Sequence, residues 1–445
     1  MFIEFTVGNY RSFFAPMTLS LEATTLQSTE KTLDEQNVFQ SGDLRLLRSA
    51  AIYGANASGK SNLIRAMAFM RMFVLQSAKE SQAGEPTGVE RFRLNTAARQ
   101  EPALFQIIFI MEGKQYRYGF EIDEQRVRSE WLYHKTQRET RLFMREGQQF
   151  ELSGPFVKEG KGIETRTRDN ALFLSVVAQF NGPIATNILK WFRTGFNVIS
   201  GLEDVGYMHF TLQRFETDEN FRQRVLDFIR LADVGITDIT LETRLLAETP
   251  MPDEIREFIQ RLAKTEKGNE NGPFVKQIVT QHPVFDAEHN LVGQEAFSME
   301  GEESAGTQKI FNLSGPLWDT LEQGKVLIID EIEARLHPLL TLELMRLFNS
   351  PQTNPNNAQL IFATHDTGLL GPSLLRRDQI WFTEKDRYGA TNLYSLAELQ
   401  VRNDAAFDKQ YIAGRYGAIP FIGGLRSLFE ELVHDAKAET QRVAE

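Results

Sequence analysis

The first part of the chain carries the pattern of short β-strands. Apolar and polar residues alternate over residues 1–7 and 17–21, and two further apolar runs follow at 104–110 and 116–122. Strict alternation is typical of strands with one buried face, and two such runs joined by a short polar turn predict a hairpin. We therefore expect a β lobe that continues to about residue 156.

The middle of the chain has a helical spacing of apolar residues. From about residue 160 to 295 the pattern is mainly helical, as in 184–192 and 221–229, and residues 264–276 read as a polar loop. No a/d heptad pattern is sustained, so a long coiled coil is not expected, although a short helical hairpin fits.

After residue 300 strands and helices alternate. The apolar runs 326–329, 359–362 and 379–382 are separated by helical patterns near 310–317 and 339–348. Short apolar strands that alternate with helices predict a mostly parallel sheet covered by helices.

Residues Gly54 to Ser61 form a complete G-x-x-x-x-G-K-[ST] motif, here called the phosphate loop. It follows the apolar run 50–53 and leads into a predicted helix, which is the context that the motif requires. Backbone N–H groups and a helix N-terminus favour an anion there. Lys60 is predicted to reach the β- and γ-phosphates of a nucleotide, and the Ser61 hydroxyl to coordinate Mg²⁺. The residues predicted to bind the nucleotide are Asn56, Ala57, Ser58, Gly59, Lys60, Ser61 and Asn62.

Polar residues follow two of the late strands directly. Asp330 and Glu331 come after the strand 326–329, and His365 comes three residues after the strand 359–362. Asp330 is suited to hold Mg²⁺ and Glu331 to activate a water molecule as a general base. Since ligands bind at the carboxyl edge of open α/β sheets, His365 is expected to contact the γ-phosphate or the attacking water.

The segment Glu303–Gln308, here called the signature segment, opens the helix that precedes the Asp330 strand. Its small residues would leave backbone N–H groups and the Ser304 hydroxyl free to bind an anion. Considered alone, the segment fits a plain helix cap better, with Ser304 accepting from the first turn.

Composition narrows the class of protein. The 445 residues include 33 Phe and no Cys, which predicts a well-filled core and excludes disulfides, thiol catalysis and Cys-ligated zinc. No apolar run is long enough for a bilayer and no signal peptide is indicated, so we expect a cytoplasmic protein with no membrane partner. The formal net charge of −11 argues against extensive DNA binding, although a local basic patch is compatible with it.

Taken together, the phosphate loop, signature segment, Asp330–Glu331 pair and His365 resemble the ABC-type ATPase head of the SMC/RecF-like branch. The resemblance implies ATP and Mg²⁺ as ligands and an ATP-dependent head-to-head dimer. Assembly into a higher homo-oligomer through residues 160–295 is left open by the sequence. It also implies that Ser304 and Gly306 contact the γ-phosphate held by a second copy, and that His365 is the switch histidine. Arg335 would lie at the dimer interface or on the free surface. The signature departs from Leu-Ser-Gly-Gly-Gln at three positions, and Gln106 is the first residue to test as the Q-loop glutamine.

The resemblance extends to a narrower group. Asn9-Tyr10-Arg11-Ser12-Phe13 resembles the segment that opens RecF- and OLD-like ATPases, which implies that Arg11 lies near the nucleotide. The segments 53–62, 376–382 and 414–420 resemble those of stand-alone ATPase subunits of anti-phage systems, including the AbiL type and the PARIS type. The Toprim nuclease fused to OLD-family heads needs a D-x-D pair, and none follows residue 366. We therefore expect a separate effector protein.

The predicted fold class is α/β, an ABC-type P-loop ATPase head with a mixed β lobe, a mostly parallel sheet flanked by helices, and a mainly helical insertion. Residues 1–156 would hold the phosphate loop and β lobe, 157–297 the insertion, and 298–445 the remaining head motifs. The predicted function is that of an ATP-hydrolysing switch in anti-phage defence. The alternative is a RecF-like DNA-repair ATPase that binds DNA directly, while a transport ATPase fits less well because no membrane segment is indicated.

Overall fold

A computed structural model describes residues 1–202, 205–231, 235–245 and 274–420. In this part of the chain none of the helices combines the length and the apolar character that a bilayer crossing requires.

Eighteen strands occur in the described residues, numbered here in chain order. They are β1 (Phe2–Gly8), β2 (Met17–Ser20), β3 (Val38–Ser41), β4 (Leu44–Leu47), β5 (Ser49–Gly54), β6 (Ala103–Met111), β7 (Lys114–Ile122), β8 (Val127–Lys135), β9 (Glu139–Glu146), β10 (Gln149–Leu152), β11 (Phe196–Ser200), β12 (Asp238–Leu245), β13 (Phe274–Phe285), β14 (Leu291–Ser298), β15 (Val326–Asp330), β16 (Gln359–Ala363), β17 (Ile380–Lys385) and β18 (Thr391–Ser395).

The α-helices of the same residues are α1 (Lys31–Gln36), α2 (Lys60–Gln76), α3 (Phe156–Gly160), α4 (Phe173–Gln179), α5 (Pro183–Lys190), α6 (Val205–Thr217), α7 (Glu219–Leu231), α8 (Ala305–Gln323), α9 (Pro338–Asn349) and α10 (Phe407–Ile412).

The predicted β lobe is a seven-stranded antiparallel sheet in the order β10-β9-β8-β7-β6-β1-β2. The hairpin between β6 and β7 turns at Glu112 and Gly113, both with positive φ, which matches the twist of the two strands. One face of the sheet packs on α2, where Phe69 contacts Phe105 and Phe73 contacts Phe120 with ring centroids 5.1 and 5.6 Å apart. Aromatic packing thus attaches the helix that follows the phosphate loop to the β lobe.

The second main sheet has the order β11-β15-β16-β5-β17-β18, with β11 to β17 parallel and β18 antiparallel. Strands β5 and β16 are buried along their whole length, as expected for parallel strands covered on both faces. One strand, β16, separates the strand before the phosphate loop from the strand that ends at Asp330. The carboxyl ends of β5, β15 and β16 therefore meet at one edge, and the predicted α/β fold is confirmed.

The secondary structure of the described residues within 157–297 differs from the mainly helical insertion that we predicted. The segment is largely helical as far as Leu231, and α6 and α7 form a short helical hairpin. However, β11 belongs to the parallel sheet, and β12, β13 and β14 form a separate three-stranded antiparallel sheet. The error arose because short apolar runs such as Phe196–Ser200 have no period that separates strand from helix, so only their partner strands decide.

The short helix α1 and the β3–β4 hairpin lie between β2 and β5. One predicted loop has more structure than expected. In the predicted loop 264–276, residues 274–276 belong to β13, and the rest lie outside the described residues.

Candidate active site

The phosphate loop connects the buried strand β5 to α2, whose first residue is Lys60. Its backbone takes positive φ values of 63° at Ala57 and 121° at Gly59. A Cβ atom at Gly59 would collide with the side chain of Thr391 on β18, so glycine is needed both for the backbone angle and for the close approach. The N-terminus of the 17-residue helix α2 thus points at the loop.

Lys60 is held inside the loop by backbone carbonyl groups. Its Nζ donates to the carbonyl oxygens of Gly54 at 2.8 Å and Ala55 at 3.2 Å. Burial lowers the pKa of Lys60, while the charges of nearby carboxylates, Asp330 foremost, act in the opposite direction. The ammonium group is therefore held in place where the loop would wrap an anion.

Ser61 and Asp330 join the phosphate loop to the end of β15. The Ser61 hydroxyl donates to Asp330 Oδ1 at 3.2 Å. Burial raises the pKa of Asp330, while the hydrogen bond from Ser61 and the positive charges of Arg65 and Lys60 act in the opposite direction. A hydroxyl beside a carboxylate is the kind of oxygen pair that Mg²⁺ uses together with substrate phosphates. The described residues form no group of three or more His, Cys, Asp or Glu side chains able to hold a metal without a substrate. The residues thus fit Mg²⁺ held jointly with a nucleotide.

The two carboxylates after Asp330 have different positions. Glu331 has a left-handed backbone, with φ of 55°, and it lines the cavity above the phosphate loop. Such a conformation is uncommon for a residue with a side chain and is often found at functional sites. Glu333 instead accepts the backbone N–H of His365 through Oε1 at 2.6 Å, and within the described protein its buried Oε2 has no hydrogen-bond partner.

His365 lies at the carboxyl end of β16, as predicted, and lines the same cavity as Glu331. Burial and then the charge of Lys60 lower the pKa of His365, whereas Glu333, Glu331 and Asp330 raise it less. A lowered pKa favours the neutral imidazole at pH 7, which can donate or accept a hydrogen bond.

These groups surround a cavity of about 460 Å³. Its lining residues are Asn56, Ala57, Ser58, Gly59, Lys60, Ser61, Asn62, Arg65, Glu331, His365 and Lys385. The structure thus brings together all seven residues predicted from the phosphate-loop motif to bind the nucleotide, Asn56 to Asn62, with Glu331 and His365. Arg65 and Lys385 were missed, although Arg65 lies one helical turn after Ser61 and Lys385 ends the strand beside β5. A larger cavity of about 970 Å³ lies along β11, but it contains no part of the phosphate loop.

Arg11 is placed differently from our expectation, since it is absent from the residues that line this cavity. Its guanidinium forms an ion pair with Glu90 at 2.6 Å. The neighbouring Ser12 is bonded instead to Asn62, directly after the phosphate loop, because its Oγ accepts from the Asn62 side chain at 2.8 Å. Ser12 Oγ also lies 2.9 Å from Thr391 Oγ1, which donates to the Ser58 carbonyl inside the loop. The opening motif therefore supports the phosphate loop through its serine.

Ser304 and Gly306 also lie outside the cavity of their own chain. Ser304 caps α8, with its Oγ accepting from the Thr307 N–H at 3.1 Å, so the helix-cap interpretation is correct within one chain. A Cβ atom built on Gly306 would lie 3.0 Å from the carbonyl oxygen of Arg335, which places the signature segment beside the turn after β15. Their contact with a second copy stays a prediction.

Gln106 is not among the residues that line the cavity. It lies in the middle of β6, and its Oε1 accepts from Trp131 Nε1 at 3.0 Å within the antiparallel sheet. Cross-strand bonding of this kind indicates a structural role, so Gln106 is not supported as the Q-loop residue.

The segments 376–382 and 414–420, which the sequence analysis singled out, contact strands of the parallel sheet outside the cavity. Gln379 donates to Ser49 Oγ at 2.9 Å, at the start of β5, and accepts from Asn37 at 2.7 Å. In the second motif, Tyr416 accepts from the Tyr394 hydroxyl at 2.7 Å and Ala418 donates to Glu384 at 3.1 Å. Both motifs therefore hold the strands on which the phosphate loop depends.

The parallel sheet, the phosphate loop and the carboxylates at the end of β15 define the fold of an ABC-type P-loop ATPase head. The sequence profile of the family described as "AAA domain, putative AbiEii toxin, Type IV TA system" matches residues 49–371, which is more than half of the chain. The chain belongs to this family.

Solved structures with similar folds include an SMC head domain from Thermotoga maritima, with 13% identity, coverage of 90% of this chain and 99% of that chain, and a TM-score of 0.37. The recombination mediator protein RecF with ATPγS has 12% identity, covers 88% and 98% of the two chains, and gives a TM-score of 0.29. CbiO1 from Clostridium perfringens, part of an ABC transporter complex, has 11% identity, coverage of 86% and 95%, and a TM-score of 0.27. No curated protein matches the chain.

Proposed function

We propose that this protein binds ATP with Mg²⁺ and hydrolyses it, and that the ATP-bound state serves as a switch in anti-phage defence. The observation that carries the proposal is the single cavity lined by the phosphate loop, Glu331 and His365, with Asp330 bonded to Ser61 beside it. This is the set of groups that transfer of a phosphoryl group to water requires.

In the proposed reaction Lys60 and the N–H groups of the phosphate loop hold the β- and γ-phosphates. Ser61 and Asp330 would hold Mg²⁺, which when bound neutralises charge on the phosphate oxygens. Glu331 accepts a proton from the attacking water while the new bond to the γ-phosphorus forms and the bond to ADP breaks. His365, neutral at pH 7, hydrogen-bonds to the γ-phosphate or to that water.

We further propose that two heads associate around ATP. Ser304 and Gly306 would contact the γ-phosphate held by the second copy, with Arg335 at the interface. The proposal is supported by their position outside the cavity of their own chain, beside the turn that follows β15. In this arrangement ATP joins the heads and hydrolysis releases them.

The role in defence rests on the sequence resemblance to anti-phage ATPase subunits and on the family description, which names a putative toxin of a toxin–antitoxin system. The switch would control a separate effector protein, and a Toprim nuclease fits the resemblance to OLD-family proteins. Slow turnover is expected, because a switch needs a long-lived ATP state.

The test compares Lys60→Ala with Lys158→Ala, which removes an exposed lysine on α3 away from the cavity. Loss of a buried charge-assisted contact to phosphate should weaken ATP binding by about 10- to 100-fold and abolish phage protection, whereas Lys158→Ala should behave like wild type. Unchanged ATP binding in Lys60→Ala would refute the nucleotide site. Salt-dependent DNA binding together with DNA-stimulated hydrolysis would instead favour the RecF-like alternative over the switch.

A further inference from the structure

The hairpin between β13 and β14 ends in exposed apolar side chains. Val284, Phe285, Leu291 and Val292 are 37%, 55%, 65% and 61% exposed, and we call residues 284–292 the hairpin tip. Strand β12 pairs with β13 only as far as Gln281, so the tip extends beyond the three-stranded part of the sheet. Four large apolar side chains exposed within one short hairpin are more than the scattered single residues of an ordinary surface.

The chain around the tip is strongly acidic. Residues 277–308 contain six carboxylates and no Lys or Arg. They are Asp286, Glu288, Glu295, Glu300, Glu302 and Glu303. Asp286, Glu288 and Glu295 lie in the tip or on β14 beside it, whereas Glu303 is almost buried against His282. The three carboxylates at the tip repel nucleic acid and anionic lipid, and they attract a partner rich in Lys or Arg.

The tip is poorly suited to pairing with an added strand. Pro283 lies in β13 just before the tip, beyond the last pair with β12, and it has no N–H to donate to another strand. Recognition would therefore use the apolar side chains, of which Phe285 and Leu291 are direct cross-strand partners on one face.

The same hairpin is bonded to the signature segment. Glu303 Oε1 accepts from Thr280 Oγ1 at 2.5 Å and lies 2.6 Å from His282 Nε2, both on β13. His282 is three residues from Phe285, a distance of roughly 10 Å along a strand. Glu303 directly precedes Ser304, which caps α8. A short hydrogen-bonded path thus connects β13, next to the tip, with the signature segment.

We propose that the hairpin tip is the docking surface for a Lys- or Arg-rich segment of another protein whose apolar side chains cover Phe285 and Leu291. Glu303 transmits this docking to the signature segment. Transmission through Glu303 rests on the proposed function, since it assumes that Ser304 acts on ATP. Docking at the hairpin tip does not depend on ATP.

Docking is tested with two amphipathic peptides of about 15 residues that share the same Leu positions and carry either Lys or Glu elsewhere. Fluorescence anisotropy should show the Lys peptide binding wild type at least about tenfold more tightly than the Glu peptide. Phe285→Ser with Leu291→Ser should remove that binding. The matched control, Leu94→Ser with Tyr388→Ser, removes two side chains that are 69% and 65% exposed elsewhere, and it should keep the binding.

Absence of Lys-peptide binding, equal binding of the two peptides, or equal binding to the tip variant would overturn the docking surface. Two further measurements identify other occupants. Tip-dependent self-association in sedimentation would assign the surface to a second copy, and tip-dependent flotation with phosphatidylcholine vesicles would assign it to a membrane. Either result would overturn the proposal.

Transmission is tested through the rate of ATP hydrolysis. The Lys peptide should change the rate about twofold or more in wild type, and His282→Leu should bind the peptide but lose this change. An equal change in His282→Leu would overturn the path through Glu303. Absence of hydrolysis in wild type would refute the proposed function and leave the anisotropy result standing.

Discussion

Glu331 and Glu333 are two positions apart in the chain but have different surroundings. Glu331 lines the cavity, while Glu333 accepts the N–H of His365 at 2.6 Å. The side chain of Glu333 therefore connects the turn after β15 with the end of β16, and we regard it as a positioning residue for His365.

We expect two effects of substitution at Glu333. Glu333→Gln removes a charge that raises the pKa of His365, so that pKa should fall further below its usual value, as measured by NMR titration of the imidazole. Glu333→Ala also removes the hydrogen-bond acceptor for the His365 N–H, and misplacement of His365 should lower the hydrolysis rate by about tenfold or more. The NMR signal of the His365 imidazole is identified by its absence from the spectrum of His365→Ala. A His365 pKa that is unchanged or raised in Glu333→Gln would contradict this role.

At the scale of elements, the site depends on the ends of neighbouring parallel strands. Strand β11 lies beside β15, and immediately after β11 the Gly201 N–H donates to the Asp330 carbonyl at 2.6 Å. A Cβ atom at Gly201 would collide with the carbonyl oxygen of Glu331. The close approach of these two backbones fixes the turn on which Glu331 depends.

Gly201→Ala should therefore displace Asp330 and Glu331 and reduce both stability and hydrolysis. Overpacking at such a contact costs about 1–3 kcal/mol, which thermal unfolding can detect. Gly206→Ala is the control, because nothing lies within 4 Å of its added Cβ. If the two variants have equal melting temperatures and rates, the contact with Gly201 is not needed.

At the scale of the whole molecule, one chain provides the phosphate loop and the carboxylates but keeps Ser304 and Gly306 outside its cavity. The proposed function completes the site with a second copy. Assembly and hydrolysis should then be opposed, because hydrolysis removes the γ-phosphate that both copies contact.

Glu331→Gln should keep ATP bound while removing the general base, so that ATP-bound dimers or larger assemblies accumulate. Analytical ultracentrifugation with ATP and Mg²⁺ should show this accumulation, and adding Lys60→Ala should abolish it. A monomer for Glu331→Gln under saturating ATP would argue against ATP-dependent association. A dimer that is equally stable with ADP would argue against it as well.

Much of the site could be predicted from the sequence because its residues follow strands directly. The phosphate loop, Asp330, Glu331 and His365 each stand beside an apolar run, and strand ends in a parallel sheet meet at one edge. A local sequence pattern is sufficient to predict such residues, because each of them is close in the chain to the strand that positions it.

Tertiary structure decided the rest. Ser12 rather than Arg11 contacts Asn62 directly after the phosphate loop, Glu333 accepts from the His365 backbone N–H, and β11 joins the parallel sheet. Each depends on segments far apart in the chain, whose pairing follows from burial and hydrogen bonding in the complete fold. Local sequence patterns therefore predict the types of group at the candidate site, whereas the packing of distant segments determines which side chains reach it.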